Sequence, residues 1–367
     1  MSDTFQRLLL LGGTPRSRGG VEVFSERAVK ALRDSGIAVQ HLPTQSAYLR
    51  LFTLPLFLAA LMRAGMAARR ERQVWLQYGN LADLIYLWLA LLPGVSVIVT
   101  PHLGSNWRSQ SNSTLRWLAR IALSKANTLA LISPIQEEEL DLPVDVPRAL
   151  IRTFLPEALA EITPAQPLSM SEGPLKLIHA GRLSEGKGTL LVLDIARLLV
   201  AYNVDFRLEL VGSGDAVAAT AIEVAQADPV LGSRIGVTGH LDEDALLSKL
   251  ATADILLHLS KVDSFPLIVL EALGCGAYPI CWPLPGANLM VNTYTGSVVK
   301  GCDPVSEAVK IIVGFDRGTQ RVHSNRAGVA VRSHFSKQNA ASDIASVAIP
   351  DTLLFSQKIC GNLGDAA

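Results

Sequence analysis

No two of the four cysteines are spaced as C-x-x-C, and all of them (Cys275, Cys281, Cys302, Cys360) fall beyond residue 270. They read as reduced core or surface thiols of a cytosolic protein. Net charge is also missing. The 33 basic side chains are balanced by 33 acidic ones, which argues against a nucleic-acid-binding protein. Neither G-x-G-x-x-G nor G-x-x-x-x-G-K-[ST] occurs, so the two commonest phosphate fingerprints are absent. No signal peptide is evident, because the N-terminus runs almost directly into a strand. The two greasiest stretches, residues 51–68 and 81–99, are interrupted by Pro55 and Arg63 and by Asp83 and Pro93. Neither offers the roughly 18 uninterrupted apolar residues of a spanning helix.

What is present is a chain of 367 residues, 49% hydrophobic and 18% charged. That length is too great for one ordinary core and points to two domains. The charge is unevenly spread: residues 1–160 hold 17 Lys/Arg against 12 Asp/Glu, and the remainder 16 against 21. A basic N-terminal half suits an anionic surface or ligand, with chance unevenness as the competing reading.

Short apolar runs alternate with helical spacing. "QRLLLLGG" (6–13) reads as a buried strand, Gly19 to Ser35 as a helix stopped by Gly36, and "IAVQHL" as the next strand. Further strands are expected at 74–78, 95–100 and 128–133. After a Pro/Ser-rich linker at 163–174 the pattern restarts with "LKLIHAG" (175–181), a helix near 187–202, "FRLELVGSG" (206–214), "IGVTGH", a helix near 243–252 and "DILLHLS" (254–260). The expectation is an α/β fold of two Rossmann-like, doubly wound domains facing a cleft. Their ranges are 1–165 and 166–340, with a tail at 341–367 returning to the N-domain. The last ~35 residues are too weakly periodic to place.

The chemistry concentrates in "SKVDSFPLIVLEALGCG" (260–276). Asp263 and Glu271 flank a Ser-Phe-Pro that starts a helix, with Ser264 as N-cap and Pro266 at its first position. The free N–H groups of Leu267 and Ile268 would then face a diphosphate. Glu271, roughly 7 Å further along the axis, could accept both ribose hydroxyls, and Asp263 could hold a sugar. The competing reading is a solvated acid pair beside a surface helix. "HAGRLSEGKG" (179–188) adds Arg182 and Lys187, a fork and a point charge suited to diphosphate oxygens. "GGTPRSRGG" (12–20) could bring backbone close to phosphates, although a tight turn explains it as well.

Taken in order, the pair Gly19-Gly20 followed by Glu22, "AGRLSEGKG", "LVGSGD" (210–215), "ADILLHLS" and "DSFPLIVLEALGCGAYPI" (263–280) resemble the GT-B-fold, family 4 retaining glycosyltransferases. The resemblance spans nearly the whole chain and says nothing of the sugar. It implies that Arg182 and Lys187 bind the donor diphosphate, that Asp263 contacts the transferred sugar, and that Glu271 contacts the ribose. It further implies that the amides near Leu267 and Ile268, with Gly19 and Gly20, hold the phosphates, and that Gly239 in the loop "GHL" meets the base. His102 matches the family's N-domain histidine that reaches the sugar; a loop-positioning histidine is the alternative. Two departures stand out. The first acid of the pair is usually Glu and is Asp here, and the family's Asn-Gly near the domain junction is replaced by "IRTFLPEA" (151–158).

The expected reaction is metal-independent, retaining transfer of a hexosyl group from a nucleotide sugar, with no cofactor beyond that substrate. The acceptor would be a glycan or a polyprenyl-diphosphate-linked saccharide in cell-surface polysaccharide assembly. The D-x-D at Asp242 and Asp244 reads as helix-capping charge rather than a metal motif. Asn106, Trp107 and Arg108 are candidate acceptor contacts. Residues 49–72 join an apolar stretch to Arg63, Arg69, Arg70 and Arg72, suited to an anionic bilayer or, alternatively, to a core helix with a basic end. A cytoplasmic location, peripheral on the inner face of the plasma membrane, follows as an expectation. Two other classes stay open: a dinucleotide-dependent oxidoreductase, disfavoured by the missing fingerprint, and a non-catalytic nucleotide-sugar binding subunit.

Overall fold

In a computed structural model, residues 7–13, 19–46, 49, 51–104, 108–162 and 173–348 are described. The expected linker at 163–174 and the end of the tail lie largely outside these residues. The chain forms two compact units, Met1–Phe154 with Phe335–Ala367, and Leu155–His334.

In unit 1 the order is β1 (Arg7–Leu11), α1 (Gly20–Asp34), β2 (Ala38–Leu42), α2 (Leu54–Glu71), β3 (Gln73–Tyr78), a 3-10 helix (Leu81–Leu91), β4 (Ser96–Pro101), α3 (Arg108–Ser111), α4 (Ser113–Leu123), β5 (Thr128–Leu131), α5 (Gln136–Glu139) and β6 (Arg148–Leu150). The sheet is parallel, in the order β2-β1-β3-β4-β5-β6. Its central strands are buried on both faces, which is why they read as continuous apolar runs. The chain first steps from β1 out to β2, then reverses past β1 to β3 and continues one way. Right-handed crossovers therefore place α1 on one face and α2, the 3-10 helix and α4 side by side on the other. The segment 335–348 returns to this unit as α13 (Lys337–Ala348). It is fastened by Arg152, whose guanidinium reaches Asp343 Oδ1 at 2.8 Å and whose N–H donates to Oδ2 at 2.9 Å.

Unit 2 runs β7 (Leu175–Ala180), α6 (Thr189–Ala201), β8 (Phe206–Val211), α7 (Ala216–Ala227), β9 (Ile235–Val237), α8 (Glu243–Thr252), β10 (Ile255–His258), α9 (Leu267–Gly274), β11 (Tyr278–Cys281), α10 (Pro285–Thr293), β12 (Ser297–Val298), α11 (Pro304–Val313) and α12 (Arg317–His334). Its parallel sheet has the order β12-β11-β10-β7-β8-β9. The winding reverses between β7 and β10, which opens a crevice at their carboxyl ends, the place where such sheets bind ligands. α12 is held by polar anchors. Arg321, 3% exposed, donates to the carbonyls of Ala251, Ala253 and Gly276, and Arg317 lies 3.0 Å from the buried Asp254.

Candidate active site

The crevice at the winding reversal of unit 2 is framed by two loops. The first follows β7 and carries Arg182 and Lys187; the second follows β10 and carries Asp263. Lys261 N donates to Gly186 O at 2.9 Å, so the loops are bonded to each other. The loop after β8 joins them: Gly181 N donates to Val211 O (3.0 Å) and Leu183 N to Ser213 O (2.9 Å), and Gly212 N reaches Gly239 O (2.8 Å). Residues distant in sequence are thus drawn into one hydrogen-bonded frame.

Lys187 Nζ pairs directly with Asp263 Oδ1. On the other side of the same carboxylate, His258 Nε2 lies 3.1 Å from Oδ2, poorly aligned for a hydrogen bond. Burial alone would push this carboxyl up. The His258 ring and the Lys187 ammonium outweigh it and hold the group well below the usual carboxylate range. Asp263 is therefore a fixed anion. Arg182 is exposed and makes no hydrogen bond or ion pair among the described residues.

Beneath the loop, a relay fixes its shape. The Ser184 N–H donates to Thr189 Oγ1 at 3.0 Å, Thr189 Oγ1 meets His179 Nε2 at 3.0 Å, and His179 Nδ1 lies 2.9 Å from Leu257 O. A carbonyl only accepts, so Nδ1 carries the proton and Nε2 accepts from the threonine hydroxyl. Burial keeps this imidazole neutral, lowering its pKa to about 4. Its unfolded counterpart titrates near 6.5, so between about pH 6.5 and 4 the unfolded chain binds the extra proton. Acidification across that window should cost about 3 kcal/mol of stability. Denaturant titrations at a series of pH values check this, and His179→Gln is expected to flatten the slope. An unchanged slope would show that the histidine contributes none of it.

The helix after Asp263 begins one residue later than the sequence suggests. Pro266 adopts extended backbone (φ −73°, ψ 104°) and is itself the N-cap, so Ser264 lies outside the helix and no side chain caps its first turn. The first hydrogen bond into that turn is Val269 N to Pro266 O, and the Leu267 and Ile268 N–H groups stay available, as an anion site requires. Glu271 follows on the same helix, 5% exposed. Gly286, at the start of α10, backs the loop: a Cβ there would fall 1.9 Å from Ser264 O. Gly239 is exposed, and a Cβ added to it would have nothing within 4 Å. Asp242 caps α8, its carboxylate accepting from Ala245 N at 2.9 Å.

Unit 1 has its own winding reversal, between β1 and β3. Gly19 is the N-cap of α1, with its N–H donating to Glu22 Oε2 at 3.0 Å, and Gly20 opens the helix with no atom within 4 Å of where a Cβ would stand. Gly12 packs so tightly on Gln77 that a Cβ would meet its side chain at 2.6 Å. His102 Nε2 lies 2.8 Å from Gln77 Oε1, and Phe24 packs edge-on against its ring. Burial lowers the His102 pKa to about 3, so it is neutral at pH 7. Asn106 and Trp107 lie outside the described residues, and Arg108 is described only as the first residue of α3.

His258, His179 and Gln77 were not among the residues singled out by spacing. A signal existed: each is a buried polar residue at or near the carboxyl end of a largely apolar strand, the end where ligands bind.

Residues 174–314 match the family model described as "Glycosyl transferases group 1". The match lies within the second unit. The match covers β7 through α11 and includes Arg182, Lys187, Asp263 and Glu271. A tRNA-queuosine alpha-mannosyltransferase from Drosophila melanogaster is 31% identical over 111 residues, which is 30% of this chain and 29% of that protein. The chain thus spans less than a third of that relative. In structure the chain is similar to a sucrose-phosphate synthase from Thermosynechococcus elongatus (TM-score 0.74, 18% identity, 97% of this chain and 100% of that one). It is also similar to Anabaena HepE in complex with UDP and glucose (TM-score 0.70, 16% identity, 92% and 98%). The fold is the GT-B fold of glycosyltransferases.

Proposed function

We propose that this protein is a retaining glycosyltransferase that moves a hexosyl group from a nucleoside-diphosphate sugar to a glycan or lipid-linked saccharide, in cell-surface polysaccharide assembly. The observation that carries the reading is the Lys187–Asp263 pair at the β7/β10 reversal, beside an uncapped helix N-terminus. A cation, free backbone N–H groups and a fixed carboxylate together suit a sugar joined to a diphosphate. The UDP and glucose in the Anabaena complex support the same chemical class.

Arg182, Lys187 and the Leu267 and Ile268 amides would bind the diphosphate, with Gly239 along the base and Glu271 on the ribose. Asp263 would hold hydroxyls of the transferred sugar. As the C1–O bond to the diphosphate breaks, negative charge grows on the leaving phosphate, and the same cations and N–H groups stabilise it where it forms. The acceptor hydroxyl attacks C1 from the face the phosphate leaves, and its proton passes to that phosphate. The configuration is retained without a protein nucleophile or a metal ion.

The test is a thermal-shift and calorimetric panel with UDP, GDP, ADP and NAD on the wild type and on Lys187→Ala. One nucleoside diphosphate should stabilise the wild type, and far less the variant. Stabilisation by NAD alone would replace this reading with dinucleotide chemistry. Nucleotide binding without turnover of any nucleotide sugar would leave a non-catalytic binding subunit.

A further inference from the structure

The right-handed winding of unit 1 sets α2, the 3-10 helix and α4 side by side on one face of the sheet, and all three leave apolar rows exposed. On α2 and the turn before it, Phe52 is 91% exposed, Met62 70% and Met66 61%. The 3-10 helix has three residues per turn, so Ile85, Trp88 and Leu91 fall in a single line, and all three are exposed. On α4, Trp117, Leu118 and Ile121 are exposed as well. The rows are joined: a Cβ on Gly65 of α2 would stand 2.7 Å from the Trp88 ring. The result is a surface of large side chains assembled from three elements, where a soluble monomer tolerates only modest apolar patches.

The residues 51–71 are long and apolar enough to cross a membrane by length and composition, yet only 28% of the window is buried. The opposite side of α2 is built into the sheet core through Phe57, Ala64, Ala67 and Ala68. A helix fastened in this way lies on a bilayer rather than across it. Arg63, Arg69 and Arg70 are exposed on the same helix, and Arg116 and Arg120, which share the single carboxylate of Asp141 at 3.8 and 3.7 Å, flank the row on α4. That charge complements phosphate headgroups.

We propose that the face formed by α2, the 3-10 helix and α4 docks on a bilayer containing anionic phospholipids, with Phe52, Met62, Met66, Trp88 and Trp117 entering the headgroup boundary. This stands on the surface alone and does not depend on the reaction proposed above.

Flotation of the full chain with phosphatidylcholine vesicles, with and without phosphatidylglycerol, tests it. The wild type should float with the anionic vesicles, less so as salt rises. Phe52→Ser/Met62→Ser/Met66→Ser should weaken binding by roughly tenfold or more. Arg63→Gln/Arg69→Gln/Arg70→Gln should lose the preference for anionic lipid. Nucleotide affinity and melting temperature, measured on the same variants, show that the fold is retained. No flotation, or equal flotation with neutral vesicles, overturns the proposal. So does a stable wild-type dimer in sedimentation that the triple Ser variant converts to monomers, because a second copy would then cover the face.

Discussion

Lys187→Ala should lower kcat/KM for glycosyl transfer by roughly 10²–10³-fold, the loss that accompanies removal of one group stabilising charge in a transition state. The lysine has two jobs. In the proposed reaction its ammonium would offset the charge growing on the leaving diphosphate, and it holds Asp263 through an ion pair. Without it, Asp263 keeps only the poorly aligned His258 contact against burial, which favours the neutral acid. The carboxyl pKa must rise. Because a depressed acid pKa stabilises the fold above the unfolded value and loses that contribution as pH falls through the folded one, the variant should lose activity and stability at a higher pH than the wild type. A pH–rate profile of both proteins reads this directly. Lys187→Arg should recover part of the diphosphate binding but not the geometry, since a planar fork does not replace a compact charge. Equal kcat/KM in wild type and Lys187→Ala would remove the lysine from the reaction. His258→Leu separates the two roles. It should shift the acid limb of the profile with little effect on nucleoside diphosphate affinity, because the imidazole touches the acid and not the helix N-terminus.

Much of this arrangement was legible in the sequence. Buried parallel strands leave short apolar runs that alternation with helices makes recognisable, and Lys187, Asp263 and Glu271 stand out as charges on loops and at a helix start. What could not be read has a common physical cause: it depends on polar groups whose partners are far away in sequence. α12 is anchored by Arg321 on three carbonyls and by Arg317 on Asp254, and a hydrophobic period does not encode such contacts. α13 is secured by Asp343 to Arg152 in the same way. His258 looks like a stray polar residue in "DILLHLS" until the turn after it brings Asp263 back to the ring. The Ser264 N-cap failed because Pro266 keeps extended backbone and becomes the cap itself. The segment 51–68 reads as interrupted by Pro55 and Arg63, but Pro is tolerated in a first helical turn. The helix therefore continues through both, and its exposed face emerges only when the sheet winding is known.

Gly212→Ala should be the most damaging small substitution in unit 2. Its φ of +135° belongs to a region nearly restricted to glycine, and an added Cβ would fall 1.8 Å from Gly181 O. The obstacle is backbone, so no side-chain rotation relieves it. Gly181 is itself pinned by its N–H to Val211 O, and the neighbouring Leu183 N–H to Ser213 O and Asp215 N–H to Leu183 O tie the same two loops. Strain and overpacking together should cost about 3 kcal/mol or more, which for a unit of this size corresponds to a melting shift of roughly 10 °C. The loop bearing Arg182 must separate from the loop that holds Gly239, so nucleoside diphosphate binding should fall even where the protein remains folded. Gly239→Ala is the matched control. Its Cβ meets nothing within 4 Å, so the melting temperature should stay at the wild-type value, and any loss of nucleotide affinity would come from the base passing close to that backbone. If Gly212→Ala melts like the wild type, the two loops are not locked together as the hydrogen bonds indicate. If it melts early while binding nucleotide with full affinity, Gly239 and Arg182 are not positioned by this crossing.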